Sequence, residues 1–103
     1  MFTKTRFDSL QLSDSIMQGI TSLGWECLTE VQRDTIPLAR QGRDVIGQAR
    51  TGSGKTAAFG IPILERCQPT GSLQGLVLAP TRELAQQVAE EMILLQGDQG
   101  LSI

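Results

Sequence analysis

The residues with the clearest chemical potential are Gly52, Gly54, Lys55 and Thr56, within the stretch ARTGSGKT at positions 49–56. Glycines let the backbone curl so that successive N–H groups face phosphate oxygens, and the start of a following helix adds a partial positive charge. A short apolar run precedes the stretch and a helical pattern follows it, which is the context that a phosphate-binding loop requires. We therefore interpret it as a nucleotide-binding loop whose cofactor-binding residues are Thr51, Gly52, Ser53, Gly54, Lys55 and Thr56.

Lys55 and Thr56 are the candidate catalytic residues of this loop. In such loops the lysine lies along the β- and γ-phosphates, and the hydroxyl of the next residue binds Mg²⁺. The general pattern places glycine where this chain has Ala49. The alternative is a glycine-rich turn with an exposed lysine.

Gln32 and Phe7 have ordinary structural interpretations when each is taken alone. Gln32 follows Thr29 by three residues, so the pair predicts a capping box at the start of a helix. Phe7 stands in a polar N-terminal segment and would serve as a core anchor.

The stretch Pro80-Thr81-Arg82-Glu83 also allows two interpretations. It could simply end a strand and cap a helix. Alternatively, Thr81, the Arg82 side chain and the free amides of the helix start would form an anion site at the carboxyl end of a strand.

The elements that must position these residues follow from apolar spacing. Helical spacing and caps predict helices after Ser13, after Thr29, from Thr56 to Arg66 and after Thr81, with Pro37, Gly60 and Pro62 as weak points. Apolar runs predict buried strands over 44–48 and 76–79, and the beginning of another at 101–103. This alternation predicts an α/β domain with a parallel sheet and flanking helices. Two strands and the beginning of a third are too few for a complete parallel sheet.

Bulk composition excludes several function classes. The chain has 103 residues, a net charge of −2, two cysteines and no histidine, so a metal site built on His or Cys is not expected. A pI of about 5.0 provides no electrostatic argument for a nucleic-acid partner. No long apolar segment is present, which predicts a chain that is neither secreted nor membrane-spanning. Cys27 and Cys67 are expected to be reduced thiols of a cytoplasmic protein.

Taken together, three motifs in order resemble those of the DEAD-box family of ATP-dependent RNA helicases. Residues 24–32, GWECLTEVQ, look like the family's Q motif, with Phe7 standing 17 residues ahead of Gly24. Residues 49–56 are similar to motif I, A-x-T-G-S-G-K-T, and residues 80–85 are identical to motif Ia, P-T-R-E-L-A. Ala49 then fits, since this family commonly begins its loop with alanine.

The resemblance implies a P-loop NTPase (RecA-like) fold and a role for each matching residue. Gln32 would hydrogen-bond the edge of adenine and Phe7 would stack on its ring, which makes ATP with Mg²⁺ the implied cofactor. A glutamine amide matches the N6 donor and N7 acceptor of adenine, whereas guanine presents an acceptor at O6. Pro80, Thr81 and Arg82 would contact the sugar–phosphate backbone of single-stranded RNA.

The sequence departs from the family at Leu28, where proline is common, and at Trp25, where Phe or Tyr is more usual. No Asp-Glu-Ala-Asp occurs in the 103 residues. The resemblance therefore identifies an N-terminal portion of a helicase ATP-binding domain, with a Q-motif region at 5–33 and a P-loop and motif Ia region at 42–96, truncated before the C-terminal helicase domain. We expect a cytoplasmic monomer that is inactive alone. A DNA helicase of the same superfamily, or a truncated product that binds nucleotide weakly or not at all, are the alternatives.

Overall fold

The computed structural model describes residues 2–50 and 52–103, which form four α-helices, one short 3-10 helix and two short strands. The strands are β1, Phe2–Arg6, and β2, Cys27–Thr29. The helices are α1, Asp14–Ser22; α2, Glu30–Arg40; α3, Lys55–Arg66; and α4, Arg82–Leu95. The 3-10 helix Phe7–Leu10 follows β1 directly.

All four helices predicted from the sequence are present, and local chemistry explains where they begin. The Ser13 hydroxyl accepts a hydrogen bond from Ile16 N, and the Thr81 hydroxyl accepts one from Leu84 N at 3.1 Å. These contacts satisfy amide groups that a helix start leaves without partners. Pro37 lies inside α2, which continues to Arg40.

The core lies between the helices and beneath β2. It includes Phe7 from the 3-10 helix, Leu28 from β2, and aliphatic side chains from every α-helix: Ile16, Ile20, Ile36, Ala57, Ile61, Leu64, Met92 and Leu95. Helix α1 crosses α4 at Gly19, where a Cβ atom would lie 2.4 Å from the carbonyl oxygen of Leu95. Only glycine permits that approach, so the crossing fixes how closely α4 packs on the rest of the fold.

The prediction of strands over 44–48 and 76–79, and of a strand beginning at 101–103, is wrong for this chain. The structure forms no strand there, and its sheet, within the described residues, contains only β1 and β2. Ile46 is 91% exposed and Leu78 85% exposed, although both stand in apolar runs. A parallel strand is held by hydrogen bonds to its neighbours, and these two segments do not pair with each other.

The two strands that do form were missed by the sequence analysis. They pair antiparallel, with Phe2 opposite Thr29 and Arg6 opposite Cys27, and the register is irregular between those points. The Thr3 hydroxyl donates to the carbonyl oxygen of Leu28 at 2.9 Å. Both segments are short and neither has a clean apolar alternation, so no periodicity marks them. Their pairing attaches the N-terminal segment to the start of α2.

Candidate nucleotide site

The phosphate loop leads directly into α3, as its sequence predicts. Gly52 and Gly54 have φ angles of +82° and +84°, a left-handed conformation that glycine adopts without steric penalty. Gly54 is the N-cap of α3, and Lys55 is its first residue. The amide of Ser53 donates to the carbonyl of Arg50 at 3.1 Å, which closes the loop into a turn. Thr51, also predicted to bind the cofactor, lies outside the described residues.

The Gln32 side chain joins the start of α2 to the phosphate loop. Its Oε1 accepts from the Thr29 amide at 2.9 Å, and its Nε2 donates to the Gly54 carbonyl at 3.1 Å. The first contact is the glutamine half of the predicted capping box. The second joins residues 22 apart in sequence, and no sequence pattern indicated it. Gln32 is only 3% exposed, so both bonds are shielded from water.

The contact between Gln32 and the loop explains why residue 54 is glycine. A Cβ atom there would lie 2.4 Å from Gln32 Nε2 and 3.2 Å from the Thr29 hydroxyl. The left-handed backbone and the close approach of Gln32 therefore both favour glycine at position 54. A side chain at position 54 would therefore displace the Gln32 amide and break its bond to the loop.

Two buried hydroxyls at this junction have no hydrogen-bond partner within the described residues. They are Thr29 Oγ1, beside Gln32, and Ser53 Oγ, in the phosphate loop. Thr29 and Gln32 have the arrangement of a capping box, but the Thr29 hydroxyl itself makes no well-formed bond. Buried polar atoms are normally paired, so the unpaired Ser53 hydroxyl in the phosphate loop is suited to an incoming polar ligand.

Six of the residues predicted to bind nucleotide border one open cavity of about 1170 Å³, and Ser53 is not among the residues of its wall. Phe7, Gln32, Gly52, Gly54, Lys55 and Thr56 all lie in its wall. Pro80 lies in the wall as well, but Thr81 and Arg82 do not. The fold therefore brings the Q-motif and loop residues to a single cavity, and leaves most of the predicted RNA-contacting residues outside it.

Phe7 is 1% exposed and belongs to the core, as its ordinary interpretation predicted. Its ring stacks on Trp25, with centroids 6.0 Å apart and an angle of 26° between planes. The backbone amide of Phe7 donates to the Glu26 carbonyl at 2.9 Å, which holds this part of the chain next to the loop before β2. The Phe7 side chain thus combines a core position with a place in the cavity wall.

Thr81 and Arg82 form the exposed start of α4. Thr81 caps the helix, and Arg82 is its first residue. Glu83 adds an acidic side chain in the same turn. The capping interpretation of Thr81 is confirmed, and the free amides at this helix start remain available to an anion.

A brace between α2 and α3 was not predicted from the sequence. Arg40 Nε lies 3.1 Å from Glu65 Oε1, and Arg40 Nη1 donates to the Leu10 carbonyl at 2.6 Å. The brace connects the 3-10 helix to the C-terminal ends of α2 and α3. Sequence offers no signal for it, because the partners are 25 and 30 residues apart.

Burial raises the pKa of the Glu65 carboxyl above its ordinary value of 4.5, and the nearby Arg40 guanidinium opposes the rise. Glu65 Oε1 has no well-aligned hydrogen bond within the described part of the chain. Attraction to Arg40 therefore offsets only part of the desolvation of the carboxylate. Proton uptake at this carboxyl favours the folded state.

Among residues 2–50 and 52–103, no helix is long and apolar enough to cross a membrane. The same residues contain no group of three or more His, Cys, Asp or Glu side chains arranged to hold a metal ion. Cys27 and Cys67 are free and partly buried, which agrees with the prediction of unpaired thiols.

Comparisons with known proteins agree with the predicted family. The DEAD/DEAH box helicase family profile matches residues 29–102. The chain is 56% identical over 89 residues to the DEAD-box ATP-dependent RNA helicase CshA of Bacillus cereus (strain ATCC 10987 / NRS 248), and to CshA of Bacillus anthracis. Each match covers 85% of this chain and 17% of the relative, so the chain spans about a sixth of the relatives' length.

Solved structures show the same relationship in three dimensions. A DEAD box protein from Methanococcus jannaschii superposes with a TM-score of 0.87 at 41% identity, covering 96% of this chain and 27% of that one. The structure of S. cerevisiae Dbp5 bound to RNA and ADP BeF3 superposes with a TM-score of 0.83 at 35% identity, covering 91% and 25%. The predicted α/β fold class, RecA-like and incomplete, is thereby confirmed. This chain belongs to the DEAD-box helicase family.

Proposed function

We propose that this chain provides one wall of the ATP site of an ATP-dependent RNA helicase, together with part of its RNA-contacting surface. The observation that carries the proposal is the Gln32 amide, which joins the start of α2 to the Gly54 carbonyl of the phosphate loop. That bond places a candidate base-recognition residue beside a candidate phosphate-binding residue. One mononucleotide could therefore reach both.

Gln32 retains the capacity to read a base while holding its internal partners. An amide oxygen has two lone pairs and an amide nitrogen has two N–H donors. Thr29 and Gly54 use one of each. The remaining acceptor and donor match the N6 donor and N7 acceptor of adenine. The proposed stacking of the base on Phe7 requires this ring, which is 1% exposed, to become accessible when the nucleotide binds.

The loop residues fit the triphosphate and its metal ion. Gly52 and Gly54 adopt the left-handed conformation on either side of Ser53, and the unpaired Ser53 hydroxyl offers a further donor. Lys55 would neutralise phosphate charge, and Thr56 would offer its hydroxyl to Mg²⁺. A magnesium ion keeps several waters and binds phosphate oxygens, so a single hydroxyl ligand from this side of the site would be enough to hold it. When bound, the ion stabilises charge that develops on the phosphates.

The RNA-contacting part of the proposal rests on Thr81 and Arg82 at the start of α4. The free amides and the guanidinium suit a phosphate of single-stranded RNA, and the related Dbp5 was solved with RNA bound. The exposed apolar segments around Ile46 and Leu78 would pair with strands of the remaining helicase domain, since the matched solved chains are about three and a half times as long as this chain. Regions 5–33 and 42–96 are the proposed Q-motif and loop portions of that domain.

The experiment that tests the nucleotide site is differential scanning fluorimetry with ATP, ADP and GTP, each with Mg²⁺. We expect ATP and ADP to raise the melting temperature more than GTP does, because guanine presents an acceptor at O6. A ligand at 100 times its dissociation constant stabilises a fold by about 2.7 kcal/mol. Lys55→Ala should reduce every shift. Equal shifts with ATP and GTP would refute the Gln32 role.

RNA rather than DNA as the nucleic-acid partner is tested on a complete helicase that contains this segment. Single-stranded RNA should stimulate phosphate release and single-stranded DNA should not, and Arg82→Ala should weaken the stimulation. Equal stimulation by both would favour a DNA or unspecific helicase. Monomeric state and cytoplasmic location stay predictions, which sedimentation and cell fractionation can check.

A further inference from the structure

All three phenylalanines of the chain lie in the wall of the cavity that Gln32 and the phosphate loop also border, and they differ in accessibility. Phe7 is 1% exposed and Phe59 is 37% exposed, whereas Phe2 is 70% exposed. Phe59 lies in α3, four residues after Lys55, and so belongs to the phosphate end of the cavity. Phe2 is therefore the phenylalanine that a ligand at the Gln32 end can reach without any rearrangement of the core.

The pairing of β1 with β2 places Phe2 beside the start of α2. Phe2 lies opposite Thr29 in the antiparallel register, and side chains at directly opposed positions project from the same face of a sheet. The Thr29 side chain is directed towards the phosphate loop, since its hydroxyl lies 3.2 Å from the place that a Cβ atom of Gly54 would take. The Thr29 amide donates to the Gln32 side chain. The Phe2 side chain therefore projects from the face of the sheet that adjoins both Gln32 and the loop.

We propose that Phe2 supplies the aromatic face on which the base of a bound nucleotide stacks, while Phe7 keeps its place in the core. The inference rests on the proposed function, because it assumes that Gln32 holds the edge of that base. The two contacts are complementary: hydrogen bonds read the edge of a base, and an aromatic ring stacks on its face. Phe2 lies outside the three motif stretches, so the family resemblance assigns it no role.

The test compares ADP with inorganic tripolyphosphate, each with Mg²⁺, by isothermal titration calorimetry on the wild-type chain, Phe2→Ala, Phe2→Leu and Phe2→Trp. Phe2→Ala should bind ADP about five- to 150-fold more weakly, the affinity equivalent of one base–aromatic stack. Phe2→Leu keeps apolar bulk in β1 and should nevertheless bind ADP as weakly as Phe2→Ala. Phe2→Trp keeps an aromatic face and should bind ADP at least as tightly as the wild type.

Two controls separate stacking from damage to the fold. Tripolyphosphate has no base, so its affinity should be the same for all four chains. Because Phe2 is mostly exposed, its replacement should change the melting temperature of the unliganded chain little. Leu73→Ala removes an apolar side chain that is 87% exposed and lies outside the wall of this cavity, and it should leave the ADP affinity unchanged.

Three outcomes would overturn the role of Phe2 and leave the proposed function standing. They are wild-type ADP affinity in Phe2→Ala, recovery by Phe2→Leu as complete as by Phe2→Trp, and equal loss of ADP and tripolyphosphate in Phe2→Ala. If the wild-type chain binds neither ligand, the proposed function and this inference fail together.

Discussion

Replacement of Gln32 provides the most direct examination of the junction between α2 and the phosphate loop. In Gln32→Ala the Thr29 amide and the Gly54 carbonyl both lose their partner. A buried hydrogen bond contributes about 0.5–1.5 kcal/mol net, so losing two should lower the free energy of unfolding by about 1–3 kcal/mol. In a domain of this size each kcal/mol corresponds to a fall of roughly 4–8 °C in melting temperature.

Gln32→Glu separates the two contacts. A glutamate keeps the acceptor for the Thr29 amide, and Glu is as acceptable as Gln at this position of a capping box. At neutral pH, however, it places a carboxylate oxygen against the Gly54 carbonyl at a site that is 3% exposed in the wild type. We expect Gln32→Glu to retain the helix content of the wild type and to lose stability.

Protonation should partly reverse that loss. A neutral carboxyl can donate to the Gly54 carbonyl, and burial raises the pKa of a carboxyl that has no cation beside it. The folded variant therefore holds its proton more tightly than the unfolded chain, and its stability should recover as pH falls towards about 4.

Urea denaturation followed by circular dichroism measures these quantities. A Gln32→Ala variant within about 0.3 kcal/mol of the wild type would show that the two bonds contribute nothing net. A Gln32→Glu variant as stable as the wild type at neutral pH would refute the role of the Gly54 contact. Gln18→Ala, on the exposed surface of α1, is the matched control and should change stability little.

Three further outcomes are expected. Gly19→Ala should lower the free energy of unfolding by about 1–3 kcal/mol, because the new methyl group meets the Leu95 carbonyl and forces α1 away from α4. Ser22→Ala, an exposed position on the same helix, is its control. Equal melting temperatures for Gly19→Ala and the wild type would contradict the close crossing of α1 and α4. The raised pKa of Glu65 means that the folded chain keeps this proton above the ordinary value of 4.5, so stability from this group is greatest below that pH and is lost as pH rises through the window above it. In urea denaturation at several pH values, Glu65→Gln should lack this fall in stability with rising pH. If the stabilities of the variant and the wild type changed with pH in the same way, the raised pKa of Glu65 would be contradicted. The 103-residue chain should show no ATP turnover, because it contains no Asp-Glu-Ala-Asp; RNA-stimulated phosphate release that Lys55→Ala abolishes would prove this expectation wrong.

Local sequence patterns were sufficient to predict the helices, the phosphate loop and the family. Helix starts depend on side chains within three residues of the amide groups they cap, as at Ser13 and Thr81, and such short-range chemistry is readable along the chain. The glycines of the phosphate loop are equally local, because a left-handed backbone selects glycine wherever it occurs. Ordered motifs then identified the DEAD-box family without any coordinates.

The contacts that connect these elements depend instead on tertiary packing. The apolar runs near Ile46 and Leu78 have the composition of strands, yet strand formation depends on a partner, and the described chain offers them none. The bond from Gln32 to Gly54 and the stacking of Phe7 on Trp25 join residues far apart in sequence. Their partners are set by how α1, α2 and α3 pack, and helix packing is a property of the assembled core that no local pattern specifies.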